Sequence, residues 1–165
     1  MEQARIAKLG ADDLPVFKAI RLESLRKAPL AFANTEADWT SLPDAEWLNR
    51  LKNPVFAALR GGEPVGIMGL LVQRGEKMAH RAALIMVYLR DSERGTGLAE
   101  TLLRAVTSFA RDNGIRQLEL NVSVENEGAI RFYERHGFTR VGRMPRAVIE
   151  AGREVDDLIM VRRLS

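Results

Sequence analysis

MVYLRDSERGTGLAETLL, Met86 to Leu103, passes from an apolar run through a polar, glycine-bearing turn into an amphipathic stretch. Ala82 to Leu89 is continuously apolar, as expected of a central strand covered on both faces. Leu98, Leu102, Val106 and Phe109 then recur at helical spacing, and Asn113-Gly114 supplies a left-handed stop. Arg94-Gly95-Thr96-Gly97-Leu98-Ala99 therefore sits where a strand feeds a helix. A helix N-terminus leaves its first N–H groups unpaired, and the peptide dipoles add partial positive charge there. Glycines let the backbone approach an anion with no Cβ in the way, so the loop suits a pyrophosphate, with Arg94 alongside. The alternative is a tight strand-to-helix turn with no ligand. Two other phosphate motifs are excluded. The P-loop needs a Gly-Lys pair, and none occurs. The dinucleotide fingerprint needs a third small residue where Glu100 stands.

Working outward, Arg5 to Leu9 alternates like a first strand, and Asp12-Asp13 offers a cap for a helix that starts at Leu14 and stops near Pro29. Residues 30–43 carry no decisive pattern. Asp44 to Leu51 reads as a short helix, and Val55 to Leu59 and Val65 to Val72 as strands joined by a hairpin turn at Gly61-Gly62. Beyond the glycine loop, Gln117 to Val122 alternates, Asn126 can cap a helix running to His136, and Thr139 to Ile149 and Val155 to Leu164 form two strands around Ala151-Gly152. Strands first and βα units later predict an α/β (α+β) mixed sheet with helices packed on it. No repeat, low-complexity tract or linker divides the chain, so residues 1–165 read as a single domain.

Composition narrows the classes. The 165 residues are 46% hydrophobic and 28% charged, with net charge +3, which is ordinary for a globular chain. Twenty of the 25 basic residues are Arg, a bias toward forked contacts with phosphate or carboxylate. There is no cysteine, so disulfides, a thiol nucleophile and thiolate metal sites are excluded. HExxH is absent and no metal is expected. No basic stripe with interleaved aromatics points to nucleic acid. No apolar run reaches the roughly 18 residues of a membrane span, and no signal-peptide core opens the chain. A cytoplasmic protein is the simplest expectation.

The run from Met86 to Leu103 resembles the acetyl-CoA-binding motif of the GNAT N-acetyltransferase superfamily, [Q/R]xxGx[G/A], laid over Ser92 to Gly97. Ser92 departs from Gln or Arg at the first position, but backbone amides do most of the phosphate binding in that family. Asn126-Glu127-Gly128-Ala129-Ile130-Arg131-Phe132-Tyr133-Glu134-Arg135-His136-Gly137-Phe138 is similar to the family's later N..A...Y...GF signature, in the correct order. The segments Arg21 to Phe32 and Pro145 to Met160 look like a bacterial branch of uncertain substrate. The resemblance implies a mixed, mostly antiparallel sheet of about seven strands with about four helices, splayed at the acetyl-CoA site. It implies that backbone groups of Val87, Tyr88 and Leu89 pair with pantetheine, that Arg94 to Ala99 hold the pyrophosphate, that Asn126 lies on the cofactor side, and that Tyr133 protonates the leaving thiolate. Acetyl-CoA, released as coenzyme A, is the implied co-substrate.

The implied reaction moves acetyl from a thioester to an amine. An alkyl ammonium with pKa near ~10.4 must first lose a proton, at a cost of roughly 4.6 kcal/mol at neutral pH, so a base or a water chain must help. Many family members carry a Glu on the strand before the loop, but Arg81 to Met86 holds no carboxylate. Acetyltransferases of ribosomal-protein N-termini have Glu where this chain has Asn121, a departure from that group that leaves Asn121 itself as a catalytic candidate. Glu36, Glu119 and His80 are general-base candidates, each with an ordinary surface or structural role as the alternative. Trp39, Trp47 and Phe32 either line an acceptor pocket or anchor helices. Arg104, Arg111, Arg131 and Arg135 read as solvated helix faces, any of which could meet the 3′-phosphate of CoA. The expected acceptor is a primary amine of a small molecule. The alternatives are a protein Lys or N-terminal amine, and a CoA-binding sensor without turnover. A homodimer paired through the last strands is the oligomer considered.

Overall fold

The computed structural model describes residues 2–165. Seven strands form one sheet: β1 (Arg5–Lys8), β2 (Val55–Arg60), β3 (Glu63–Val72), β4 (Arg81–Leu89), β5 (Gln117–Ser123), β6 (Thr139–Glu150) and β7 (Arg153–Arg163). Their spatial order is β1-β2-β3-β4-β5-β7-β6. All pairs are antiparallel except β4 and β5, which are parallel and joined through a helix, as a parallel pair requires. The hairpin between β2 and β3 turns at Gly61-Gly62, where φ is +60° and +79°, values two consecutive glycines adopt readily.

Helices cover both faces. On one side α4 (Leu98–Asp112) and α5 (Glu127–Arg135) press Leu102, Leu103, Val106, Ile130 and Tyr133 onto Leu70, Leu84, Leu118 and Leu120 of the sheet. On the other side α1 (Leu14–Lys27), α2 (Glu36–Thr40) and α3 (Asp44–Arg50) bury Phe17, Ile20, Trp39 and Trp47 against Val55, Ala57, Leu59 and Ile67. Phe17, Trp39 and Trp47 meet edge to face, with ring centroids 5.0–6.1 Å apart. The helices number five rather than about four. The additional one, α2, lies in the stretch without a decisive pattern, and a reciprocal cap between Thr35 and Asp38 starts it.

The parallel ladder is short. Arg81, Ala82 and Ala83 pair with Gln117, Leu118 and Glu119, and from Leu84 onward β4 has no strand partner on that side. β5 instead follows β7 along its whole length. The two strands therefore part and leave a cleft between them. The expected burial of Ala82 to Leu89 on both faces is met at Ala82 and Leu84 only; residues 85–89 are half-buried, and 85–87 of them line this cleft.

A bulge marks the point of divergence. Ile85 faces Gly69 and Tyr88 faces Ile67, so Met86 and Val87 together oppose Met68. Met86 has φ +56°. The extra residue shifts the alternation: Ala82, Leu84 and Val87 face α4, while Met86 and Tyr88 face α1. Gly69 makes the bulge fit, since a Cβ there would lie 2.8 Å from Met86 Cε and 3.3 Å from Ile85 Cγ1.

Candidate active site

The glycine loop closes the α4 end of β4. Gly95 and Gly97 have φ +76° and +80°, the left-handed region that favours glycine, and Gly97 directly precedes α4. No side chain caps this helix in the usual way. Thr96 Oγ1 donates to the Glu93 carbonyl at 2.6 Å and receives the Leu98 N–H at 3.4 Å. Among the described residues, the N–H groups of Gly95, Gly97, Ala99 and Glu100 find no acceptor in the chain. Four free donors at a helix start are a disposition that suits an anion.

An ion pair that the sequence reading missed anchors this loop. Glu93 is buried, and the Arg60 guanidinium grips both its oxygens, Nε at 3.1 Å from each and Nη2 at 2.6 Å from Oε1. Arg60 and Glu93 lie too far apart in sequence for spacing to signal the pair. Arg94 is exposed and pairs with Asp91 at 3.2 Å. Leu89 packs with Ala58, Val65 and Leu98 beneath the loop. Tyr88 turns its side chain toward α1, where its hydroxyl donates to Glu23 Oε2 at 3.0 Å. Arg90 grips the same carboxylate at 2.7 and 2.9 Å, which holds Glu23 below the usual carboxylate range, while burial raises the Tyr88 phenol to about 12.

The cleft between β4 and β5 encloses about 710 Å³. Val87, Asn121, Asn126 and Tyr133 all line it, so the structure brings these predicted residues together. Asn126 caps α5 by accepting the Ala129 N–H at 3.3 Å, leaving its amide N–H groups free. Tyr133 is 6% exposed, and its ring packs between Phe132 and Phe138 at centroid distances of 5.6 and 5.5 Å. Among the described residues its hydroxyl has no hydrogen-bond partner, and the oxygen is not closed off as the ring is. Burial pushes its pKa up, so it stays protonated at neutral pH.

The base candidates fare differently. Glu36 does not reach the cleft; its carboxylate takes the Arg26 guanidinium at 2.9 Å on the surface. His80 lies outside the cleft as well. Glu119 borders it but is held by Arg81 and Gln117, and the Arg81 hydrogen bond keeps its pKa low, which makes it a poor proton acceptor. The carboxylate that sequence reasoning missed is Asp157. It lies beside Ile159 on the cleft-facing side of β7, opposite Ser123 of β5. Burial, then the adjacent Asp156 charge, raises its pKa. Two consecutive aspartates gave no hint of which would face inward. Asp156 is spent on the Arg146 N–H at 2.8 Å and on the Arg143 guanidinium.

A family model described as "Acetyltransferase (GNAT) family" matches residues 20–138. The chain belongs to the acetyltransferase (GNAT) family. It is thus an N-acetyltransferase. It is 29% identical over 162 residues to an L-methionine sulfoximine/L-methionine sulfone acetyltransferase of Pseudomonas aeruginosa, covering 93% of this chain and 90% of that one. A mouse protein named probable N-acetyltransferase family 8 member 5 is 35% identical over 89 residues, 53% of this chain, and the match spans 39% of that protein's length. Among solved structures, a ribosomal-protein-alanine N-acetyltransferase from Brucella melitensis superposes with TM-score 0.80 at 28% identity, over 97% of this chain and 99% of that one. A Salmonella typhimurium acetyltransferase solved with acetyl-CoA gives TM-score 0.83 at 21% identity, over 99% and 95%, a likeness of fold.

In this acetyltransferase the end of the cleft under α1 and α2 is unlike the rest. Arg21 of α1 and Arg50 of α3 line it together with Phe32 and Trp39. The Arg21 guanidinium lies 4.4 Å from the Trp39 ring centroid and 4.8 Å from that of Phe32; Arg50 lies 4.2 Å from Trp39. The aromatics that sequence alone left between lining and anchoring do both: Phe32 and Trp39 border the cleft, and Trp47 only anchors.

Proposed function

We propose that this acetyltransferase passes acetyl from acetyl-CoA directly to the primary amine of a small molecule, with no acyl-enzyme. The observation that carries the reading is Tyr133, its ring buried and its unpartnered, protonated hydroxyl facing a cleft whose β4 edge is free. Acetyl-CoA supplies an activated thioester. The free N–H groups of Gly95, Gly97, Ala99 and Glu100 suit its pyrophosphate, and the open β5-facing edge of Val87 to Leu89 suits the pantetheine amides. Tyr133 gives its proton to the departing thiolate. Asp157 takes the proton from the acceptor ammonium, directly or through one water, and its raised basicity fits that task better than Glu119 does. Asn126 orients the cofactor side from the start of α5.

The cleft volume falls in the range of small-ligand sites. The Pseudomonas relative, named for acetylating methionine sulfoximine and sulfone, favours an acceptor of that size. A second reading, acetylation of a protein N-terminus, takes support from the Brucella neighbour. Against it stands Asn121, where that group carries Glu.

Thermal unfolding with and without acetyl-CoA, followed by thiol release across a panel of amines and N-terminal peptides, tests the proposal. A ligand at 100 times its Kd adds about 2.7 kcal/mol, a rise of several degrees. A rise followed by thiol release with free amines is the expected result. No rise refutes the cradle, and release with peptides alone establishes the second reading.

A further inference from the structure

We infer that the acceptor carries a carboxylate as well as its amine, and that Arg21, assisted by Arg50, binds that carboxylate at the α1 end of the cleft. The inference rests on the reading that this chain acetylates a small amine, and it names the acceptor's class.

Arg21 is 2% exposed, yet among the described residues no carboxylate pairs with it. Its nearest side-chain hydrogen bond is a long one, 3.4 Å from Nη1 to Ser24 Oγ, and its Nε has no partner at all. Burying an unpaired cation is unfavourable, and arginine escapes the penalty poorly because it does not neutralise near physiological pH. The faces of Phe32 and Trp39 offset part of it. Arg50 increases it, since a second guanidinium sits against the same Trp39 ring. Burial and the Arg50 charge lower the Arg21 pKa to about 10, which leaves it charged at neutral pH.

A structural arginine in this position would be matched by an acid from α1, α2 or the sheet. Here the arginine is one of the side chains that line a cavity. Arg50 is partly neutralised by Glu46 at 3.1 Å, one turn away on α3, so it serves at the rim while Arg21 lacks its counter-ion. The planar fork of a guanidinium matches a carboxylate through two parallel hydrogen bonds. The Phe32 and Trp39 rings against the guanidinium help to hold the fork in orientation. An amine placed toward Asp157 and a carboxylate placed toward Arg21 make the acceptor an amino acid in the broad sense.

The test compares matched acceptors on one carbon skeleton. For a set of α-amino acids, kcat/KM is measured by thiol release for each acid, its primary carboxamide and its decarboxylated amine, at saturating acetyl-CoA. The acid is expected to exceed the amide about 10- to 100-fold, mostly through KM. In Arg21→Met that preference disappears, the acetyl-CoA-induced rise in Tm persists, and the free protein unfolds at the same or a higher temperature. Arg50→Gln, at the rim, narrows the preference without removing it, and carries the test if Arg21→Met does not fold. Amides that turn over as fast as acids in the wild type overturn this inference alone, as does an unchanged preference in both variants. Thiol release from none of the three sets overturns it together with the small-amine reading.

Discussion

Replacing Tyr133 by Phe separates a proton donor from a packing residue. The ring would keep its place, since its burial and its contacts with Phe132 and Phe138 do not involve the oxygen. The oxygen itself has no partner among the described residues. A tyrosine that held the fold through its hydroxyl would leave an orphaned partner and cost about 1–3 kcal/mol on truncation. Here no partner is orphaned, so the change is expected within about 0.5 kcal/mol. For a chain of this size that is a Tm shift of about 2 °C or less. Acetyl-CoA should raise Tm as much in Tyr133→Phe as in the wild type. The chemical step loses its acid, and kcat should fall about 10²- to 10⁴-fold, or about 2.7–5.5 kcal/mol in the barrier. Because burial raises the Tyr133 pKa, the alkaline limb of the wild-type kcat profile should lie above the ordinary tyrosine value and vanish in the variant. The assays are scanning calorimetry with and without acetyl-CoA, and steady-state thiol release across pH. Retention of kcat within about threefold would refute the acid role. A Tm loss of several degrees in step with the activity loss would assign the residue to the fold.

Three further outcomes follow from the same geometry. Gly97→Ala places a Cβ at φ +80°, which costs about 1–2 kcal/mol, so Tm should drop by roughly 2–8 °C while the acetyl-CoA Kd rises; calorimetry and titration check both. Asp157→Asn should abolish most turnover yet stabilise the chain at neutral pH. The Asp157 pKa is raised on folding, so the folded state holds that proton more tightly. The stability it contributes is complete below the ordinary Asp pKa and is lost as pH rises through the raised value. Tm of variant and wild type should therefore converge in acid and diverge at neutral pH. Finally, β6 ends the sheet and exposes Val141, Met144 and Ile149, and we propose that two copies pair along it. Light scattering should give a dimer at micromolar concentration that Ile149→Lys dissociates, and a wild-type monomer would reject the pairing.

The strands and long helices were legible because each carries its own period. Leu98 to Val106 repeats at helical spacing and becomes α4; Gln117 to Val122 alternates and becomes β5. The turns were legible through glycine, since Gly61, Gly62, Gly95, Gly97 and Gly114 all adopt positive φ. The short helix α2 was not, because a five-residue element has no period to display and rests on the Thr35–Asp38 cap and on Trp39 inserting beside Phe17. The bulge in β4 was hidden for a different reason. Every residue from Ala82 to Leu89 is apolar, so a one-residue slip leaves no trace in the pattern.

The proposed site divides along the same line. The sequence by itself determined the anion cradle and the Asn126 and Tyr133 positions, because a helix start, a cap and a residue two turns further on are set by local geometry. Tertiary structure alone decided which carboxylate borders the cleft. Glu36 is carried away on α2 to Arg26, Glu119 is consumed by Arg81, and Asp157 is turned inward by the register of β7 on β5. It also decided that Arg21 would be buried without a counter-ion, since its surroundings come from α1, α2, α3 and residue 32, segments whose meeting no local spacing encodes. Backbone chemistry is written in neighbours along the chain; the balance of buried charge is written in neighbours across it.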